Sequence, residues 1–143
     1  MLSEEQSKKY IEEARLSLES ARAIFDGALR AERELWANVV KMCYDSMEQA
    51  VSAAIAKKDE IIPKDHPAKI AKFVNLYGLS NKSDISKILF SWLSKRSSSQ
   101  YVDIKNGKIA VPHELFNEGD AEEAIDDARI VISLVGKMLE KRA

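Results

Sequence analysis

The residues best suited to chemistry lie in one short stretch, Lys95 to Asp103, which reads KRSSSQYVD. A guanidinium offers a planar fork of donors to a phosphate, hydroxyls and free backbone amides add donors, and a tyrosine stacks on a base or donates to an anion. Arg96 and Tyr101 are five positions apart, so a continuous helix would hold them about 140° apart around its axis. Because serines weaken helix propensity, we expect the chain to leave the helix among them and the two side chains to converge.

A simpler interpretation of the same stretch stays open. The two basic residues then satisfy a helix C-terminus, the serines form a solvent-exposed loop, and Tyr101 packs its ring under the segment that follows. The interpretations differ in whether Arg96 is free to bind an anion. The candidate ligand-binding residues are Lys95, Arg96, Ser97, Ser98, Ser99 and Tyr101.

Other chemical motifs are scarce. The sequence contains no GxxxxGK[ST], no GxGxxG after a strand, and no HExxH, CxxC or GxSxG pattern, which disfavours those enzyme classes. Its two histidines, His66 and His113, each stand beside a proline, so a multi-histidine metal site within one chain is not expected. The single cysteine, Cys43, lies in an apolar helical pattern and fits a small core residue. No metal and no cofactor is therefore predicted.

Charge is unevenly distributed along the chain. Residues 57 to 108 hold eleven Lys or Arg against five Asp or Glu, a net charge of +6, whereas residues 114 to 127 hold seven acids and no base. The basic segment is suited to attract an anion. The acidic block can pair with the basic segment, either within the fold or across a subunit contact. Two oppositely charged solvated faces would give the same pattern.

Length and composition describe one globular unit. A chain of 143 residues with 45% hydrophobic and 31% charged residues fits a single domain, residues 1–143, with one core. No apolar run is long enough to span a bilayer, and the N-terminal residues lack an apolar signal core. A cytoplasmic location follows as the default expectation.

Hydrophobic periodicity predicts five amphipathic helices. They run from about residue 4 to 26 or beyond, 33 to 57, 67 to 77, 82 to between 96 and 99, and 120 almost to the end. Between the last two, Asn106-Gly107 is a strong signal for a tight hairpin turn, and apolar residues alternate on both sides of it. Since two strands alone are marginally stable, the hairpin should lie against the bundle or another subunit. The predicted fold is all-α: a five-helix up-and-down bundle with a small β-hairpin or extended loop between helices 4 and 5.

The order of these elements resembles that of the HEPN domain, the higher eukaryotes and prokaryotes nucleotide-binding domain. The resemblance begins with YIEEARLSLESARAIF and continues in WANVVKMCYDSMEQAVSAAIAKK, where Tyr44, Glu48, Gln49 and Ala50 fall as in the family's second helix. DHPAKI opens the third helix, SSQYVD resembles the family's arginine-tyrosine-proline turn, and AEEAIDDARIVISLVGKML closes the bundle. The resemblance thus covers most of the chain.

This resemblance implies a five-helix bundle that is often dimeric. Many such domains are metal-independent ribonucleases, or the toxin half of a toxin–antitoxin pair with a small nucleotidyltransferase. The nuclease members carry an arginine followed after four to six residues by a histidine. Arg96 can take the arginine position, but Tyr101 stands where the histidine belongs, and His113 lies too far along the chain to match. Gln100 and Val102 replace the turn's arginine and proline.

Those departures lead to two principal hypotheses. The preferred one is a binding module, a homodimer that engages a nucleotide, an RNA phosphate or a nucleotidyltransferase-type partner. The alternative is a metal-independent endoribonuclease that uses Arg96 for phosphate and Tyr101, or His113 from across a dimer interface, for proton transfer. Tyrosine suits that role poorly because its ordinary pKa is near 10, whereas that of histidine is near neutral. A helical assembly subunit without a small-molecule site is a third, simpler reading.

Overall fold

Six helices and one two-stranded sheet make up the part of the chain that the structure describes. The computed structural model describes residues 1–141, and its elements in chain order are α1 (Leu2–Ala31), α2 (Trp36–Lys57), α3 (His66–Leu76), α4 (Asp84–Gln100), β1 (Asp103–Lys105), β2 (Lys108–Ala110), α5 (Pro112–Leu115) and α6 (Glu118–Glu140). The predicted fifth helix is α6, because the four-residue α5 precedes it. The predicted all-α bundle with a small hairpin after the fourth helix is confirmed.

Helix α1 continues through the glycine at which a break was conceivable. Gly27 lies within the helix, which ends only at Ala31. Glu32 then adopts a left-handed conformation with φ 52°, and the amide of Arg33 donates to the carbonyl of Ala28 at 2.9 Å. This arrangement satisfies the last carbonyl groups of α1 and turns the chain into α2.

Helix α2 is the centre of the bundle. It is buried along most of its length, and α1, α3, α4 and α6 all pack against it. Small residues permit close approach to α1, and serine hydroxyls bridge the two backbones: Ser7 donates to the carbonyl of Ala53 at 2.7 Å and Ser46 to that of Ala14 at 2.8 Å. Cys43 is fully buried, and burial raises the pKa of its thiol to about 12, so it remains a protonated core residue.

The hairpin projects from the bundle. Its strands pair antiparallel with Ile104 opposite Ile109, and Asn106 and Gly107 both adopt positive φ, as the predicted turn requires. Ile104 is 74% exposed and Ile109 68% exposed. The expectation that the hairpin lies against its own bundle is therefore not met by these two side chains.

Within residues 1–141, no helix combines the length and the apolar character that crossing a bilayer requires.

The close packing of α1 on α2 gives a testable prediction. Ala14 is fully buried, so Ala14→Leu should overpack the interface and lower the free energy of unfolding by about 1–3 kcal/mol. The same change at the exposed Ala23 in the same helix should alter it by less than about 0.5 kcal/mol. Urea denaturation of both variants measures the difference, and equal midpoints would contradict the observed packing.

Candidate functional site

Helix α4 does not end among the serines. It continues through Gln100, and the amide of Tyr101 still donates to the carbonyl of Ser97 at 3.0 Å. The hydroxyl of Ser99 donates to the carbonyl of Arg96 at 2.8 Å, so it bonds to its own helix rather than leading the chain out of it. The expectation that the chain leaves the helix among the serines is therefore wrong, and the convergence of Arg96 and Tyr101 that was derived from it has no support in the course of α4.

The other predicted ligand-binding residues are spread around the C-terminal end of α4. This segment is helical and is not the basic loop that the sequence suggested. Lys95 places its ammonium 4.5 Å from the centre of the Trp92 ring, and Ser98 accepts a hydrogen bond from Lys105 of the hairpin at 2.7 Å. Ser97 is exposed, and so is Tyr101, at 54%. Tyr101 is therefore not packed beneath the hairpin, as the simpler interpretation required.

Arg96 occupies a different position, on the buried face of α4. Ile85, Leu89 and Trp92 form the apolar stripe of that helix, and Arg96 and Ser99 continue it at helical spacing. Trp92 donates its indole N–H to Asp127 of α6 at 2.8 Å, which fixes the orientation of this face. Arg96 thus stands where the pattern calls for an apolar side chain.

The guanidinium of Arg96 has no partner in the described chain. Across residues 1–141 it makes no hydrogen bond and has no carboxylate oxygen within 4.0 Å, although the side chain is half-buried. The acidic block of residues 114 to 127 therefore does not neutralise it. Burial raises the pKa of Tyr44 and of Asp45 in α2, and in both cases the nearby charge of Arg96 acts in the opposite direction. Arg96 accordingly faces α2 with its charge unpaired.

A second polar contact joins α2 to α3. Glu48 accepts from Lys69 at 2.7 Å through one carboxylate oxygen and lies 2.6 Å from Nδ1 of His66 through the other. Burial acts to raise the pKa of Glu48, but the bonds to Lys69 and His66 outweigh it and hold the pKa below its ordinary value. Asp65 caps α3 by accepting from the amide of Ala68 at 2.9 Å, which places His66 at the first position of the helix. Glu48 is therefore an ionised carboxylate whose two oxygens each have a partner on α3.

Tyr44 lies between these two groups. It is 2% exposed, stands one helical turn before Glu48, and packs edge-on to the His66 ring with 6.4 Å between ring centres. Its buried hydroxyl has no hydrogen-bond partner within 3.5 Å among the described residues. The charge of Glu48 and a long side-chain hydrogen bond to it raise the pKa of Tyr44 further beyond the effect of burial.

We refer to these residues as the α2–α4 polar cluster. Its members are Tyr44, Asp45, Glu48, His66, Lys69 and Arg96. Sequence reasoning singled out only Arg96 as a ligand-binding residue and treated His66 as a helix-start residue. The available signal was the four-residue spacing of Tyr44 and Glu48 on one helix face, together with the DHPAKI segment. Both were noted as family-like positions and not as parts of one site.

Two clefts lie on the α3 side of the cluster. The smaller has a volume of about 170 Å³ and is lined by Tyr10, Asp45, Glu48, Gln49, Ser52 and Lys69. The larger, of about 1170 Å³, runs between the start of α1 and the segment before α3, and shares Tyr10 and Lys69 with it. Arg96 lines neither cleft. Within residues 1–141, His, Cys, Asp and Glu side chains form no group of three that could hold a metal ion.

Comparison with known proteins identifies the family. The HEPN domain family model matches residues 5–139. The crystal structure of ST0689, an archaeal HEPN homologue, superposes with a TM-score of 0.67 at 21% identity, covering 94% of this chain and 98% of that one. No curated protein sequence matches. The structural likeness supports the fold, and the family match over nearly the whole chain shows that this protein belongs to the HEPN domain family.

Proposed function

We propose that this HEPN domain binds a phosphate group of a nucleotide or of RNA through Arg96. The observation that carries the proposal is the guanidinium on the buried face of α4, unpaired in the described chain. A half-buried charge loses part of its hydration, and among the described residues no carboxylate oxygen lies within 4.0 Å to replace it, while the charge of Asp45 acts from farther away. A phosphate oxygen pair matches the planar donors of arginine and would supply the missing partner.

The surroundings of Arg96 support an anionic ligand. Lys95 and Lys105 lie on the same end of α4, and their present contacts, a Trp92 ring face and a Ser98 hydroxyl, involve no carboxylate. Such contacts can be exchanged for phosphate oxygens at little cost. The net charge of +6 over residues 57 to 108 adds long-range attraction.

The geometry favours binding over cleavage. A ribonuclease site built on Arg96 and Tyr101 needs both side chains at one phosphodiester, and α4, which continues to Gln100, does not provide the early helix end on which their expected convergence depends. His113 is exposed on α5, and the ribonuclease alternative takes it from a second subunit.

We further propose that the domain is a homodimer in which the hairpin contacts a second copy. The exposed Ile104 and Ile109 have no cover in the monomer, and a two-stranded hairpin gains stability when a further surface packs on it. The acidic block at the start of α6 makes no ion pair with the basic segment inside the described chain, so the opposite charges of the two regions are available to meet across a subunit contact. A nucleotidyltransferase-type protein, as in a toxin–antitoxin pair, would be a competing occupant of this surface.

Removing the guanidinium tests phosphate binding. Arg96→Ala should weaken binding of ATP or of a short single-stranded RNA by about tenfold or more, since it removes charge-assisted hydrogen bonds. Isothermal titration at fixed salt, with chelator present, measures the affinity. The control Arg33→Ala removes the same charge from the exposed turn before α2 and should leave the affinity nearly unchanged. Equal affinities of wild type and Arg96→Ala, with helicity intact by circular dichroism, would rule out the proposed role.

Incubation with RNA separates binding from catalysis. The purified protein should leave single-stranded RNA intact in the presence of chelator, because Tyr101 is exposed at the end of α4 whereas Arg96 lies on the buried face of that helix. Cleavage by the wild type that disappears in both Arg96→Ala and Tyr101→Phe would instead establish the ribonuclease alternative.

Changing one hairpin residue tests the dimer. Light scattering should show a dimeric wild type and a monomeric Ile104→Glu, because the substitution places a charge in the proposed contact. Ile61→Glu changes an isoleucine that is 83% exposed elsewhere on the surface and should remain dimeric. A monomeric wild type, or a dimeric Ile104→Glu, would refute the hairpin interface.

A further inference from the structure

The smaller of the two clefts is built on one polar face of α2. Four of its lining residues recur at helical spacing, so their side chains leave α2 on the same side: Asp45, Glu48, Gln49 and Ser52. Tyr10 of α1 and Lys69 of α3 complete the walls, and both also line the larger cleft, which therefore adjoins the smaller one. The volume of about 170 Å³ suits a small planar ring system.

Asp45 is the unpaired acceptor in this cleft. Its side chain is half-buried, and within residues 1–141 no hydrogen-bond donor lies within 3.5 Å of its carboxylate and no cationic nitrogen within 4.0 Å. Burial raises the pKa of Asp45, and the charges of Lys41 and Arg96 act in the opposite direction. The neighbouring Glu48 differs, since both of its oxygens have partners. Asp45 therefore offers two oxygens to an occupant of the cleft.

Hydrogen-bond donors line the same cleft. Lys69 uses one N–H to bond Glu48 at 2.7 Å, which leaves two further N–H groups on its ammonium. The side-chain carbonyl of Gln49 accepts from Ser17 at 2.7 Å, so its amide NH₂ remains for another acceptor. Tyr10 adds an aromatic side chain to the wall. The cleft thus combines a carboxylate, donors and an aromatic ring.

Guanine is the nucleobase whose edge matches this combination. Its N1–H and 2-amino group are adjacent donors for one carboxylate, and its O6 beside them accepts from an ammonium or an amide. In adenine and cytosine the amino group stands beside a ring nitrogen that accepts, and in uracil a single N–H lies between two carbonyl oxygens. A carboxylate meets only one donor on each of those edges. A simple ammonium ion would pair with Asp45 but would leave the donors of the cleft without an acceptor.

We propose that the cleft holds a guanine base whose N1–H and 2-amino group donate to Asp45. Lys69 and Gln49 then donate to O6, and the ring of Tyr10 stacks on the base. The inference rests on the proposed function for the class of ligand, a nucleotide or RNA, and adds base specificity to it. The base contact shares no residue with the phosphate contact, because Arg96 lines neither cleft.

Titration with nucleotides tests the base preference. Without divalent metal, the wild type should bind guanosine 5′-monophosphate (GMP) about tenfold or more tightly than adenosine 5′-monophosphate (AMP), because a site that hydrogen-bonds N–H groups rejects a base that lacks them. Two short RNAs that differ only in one guanine or adenine should give the same ratio if the base belongs to a strand. A preference confined to GMP assigns the cleft to free nucleotides.

The variant Asp45→Asn isolates the carboxylate. Its amide still accepts from N1–H but presents an NH₂ to the 2-amino group, so GMP should bind about tenfold more weakly than to the wild type. Xanthosine 5′-monophosphate, which carries an oxygen in place of that amino group, should bind the variant more tightly than it binds the wild type. The melting temperature should stay nearly unchanged, since no hydrogen bond of Asp45 within residues 1–141 is lost.

Asp26→Asn is the matched control. It makes the same chemical change at an exposed position of α1 that does not line this cleft. The affinities for GMP, AMP and xanthosine 5′-monophosphate should all keep their wild-type values. A change of preference in both variants would point to the loss of one negative charge and would overturn the inference.

The inference and the proposed function fail in different ways. If the wild type binds GMP and AMP equally, or Asp45→Asn keeps the preference for GMP, the inference is overturned, and the proposed function stands as long as Arg96→Ala weakens binding. A fall in melting temperature together with all affinities in Asp45→Asn would show a structural role and would also overturn it. If guanosine binds as tightly as GMP and Arg96→Ala changes nothing, the phosphate proposal fails and the base site stands. If no nucleotide or RNA binds, both fail.

Discussion

A positive charge on the buried face of α4 is the constraint on which the functional account depends. That face is apolar from Ile85 to Trp92 and packs toward α2, so the next position in the stripe is placed against the bundle whatever residue it carries. Here it carries Arg96, whose guanidinium has no carboxylate oxygen within 4.0 Å in the described chain. Packing of the helix therefore fixes the position of the charge, and the lack of a counter-ion leaves it available to a ligand.

Two of the charged groups in the α2–α4 polar cluster, Glu48 and Arg96, differ in their contacts. Glu48 has both oxygens bonded, to His66 and Lys69, and thereby ties α3 to α2. Satisfied buried groups of this kind hold helices in a defined register. Arg96 lacks such a tie, although it is also half-buried. The cluster therefore combines a rigid side, which positions α2 and α3, with a side whose charge remains free, as a binding site requires.

Much of the fold follows from the sequence because its signals are local. Helical periodicity located the long helices, and Asn106-Gly107 located the hairpin, since both depend on residues near in sequence. The end of α4 was predicted too early. The serine hydroxyls were expected to compete with the helix for backbone hydrogen bonds, whereas the Ser99 hydroxyl donates to a carbonyl of the same helix. The cluster was not predictable in the same way. Glu48 and His66 are 18 positions apart, and only the packing of α3 and α4 on α2 brings them near Arg96.

The most direct test of the central claim is to observe the Arg96 side chain itself. Its Nε–H resonance can be assigned by comparing nitrogen-15 NMR spectra of wild type and Arg96→Lys, and then followed during titration with single-stranded RNA. The account predicts a progressive shift of this resonance with RNA and none with sodium chloride added to the same ionic strength. A resonance that ignores RNA while other signals of the domain move would show that the ligand binds elsewhere and would contradict the account.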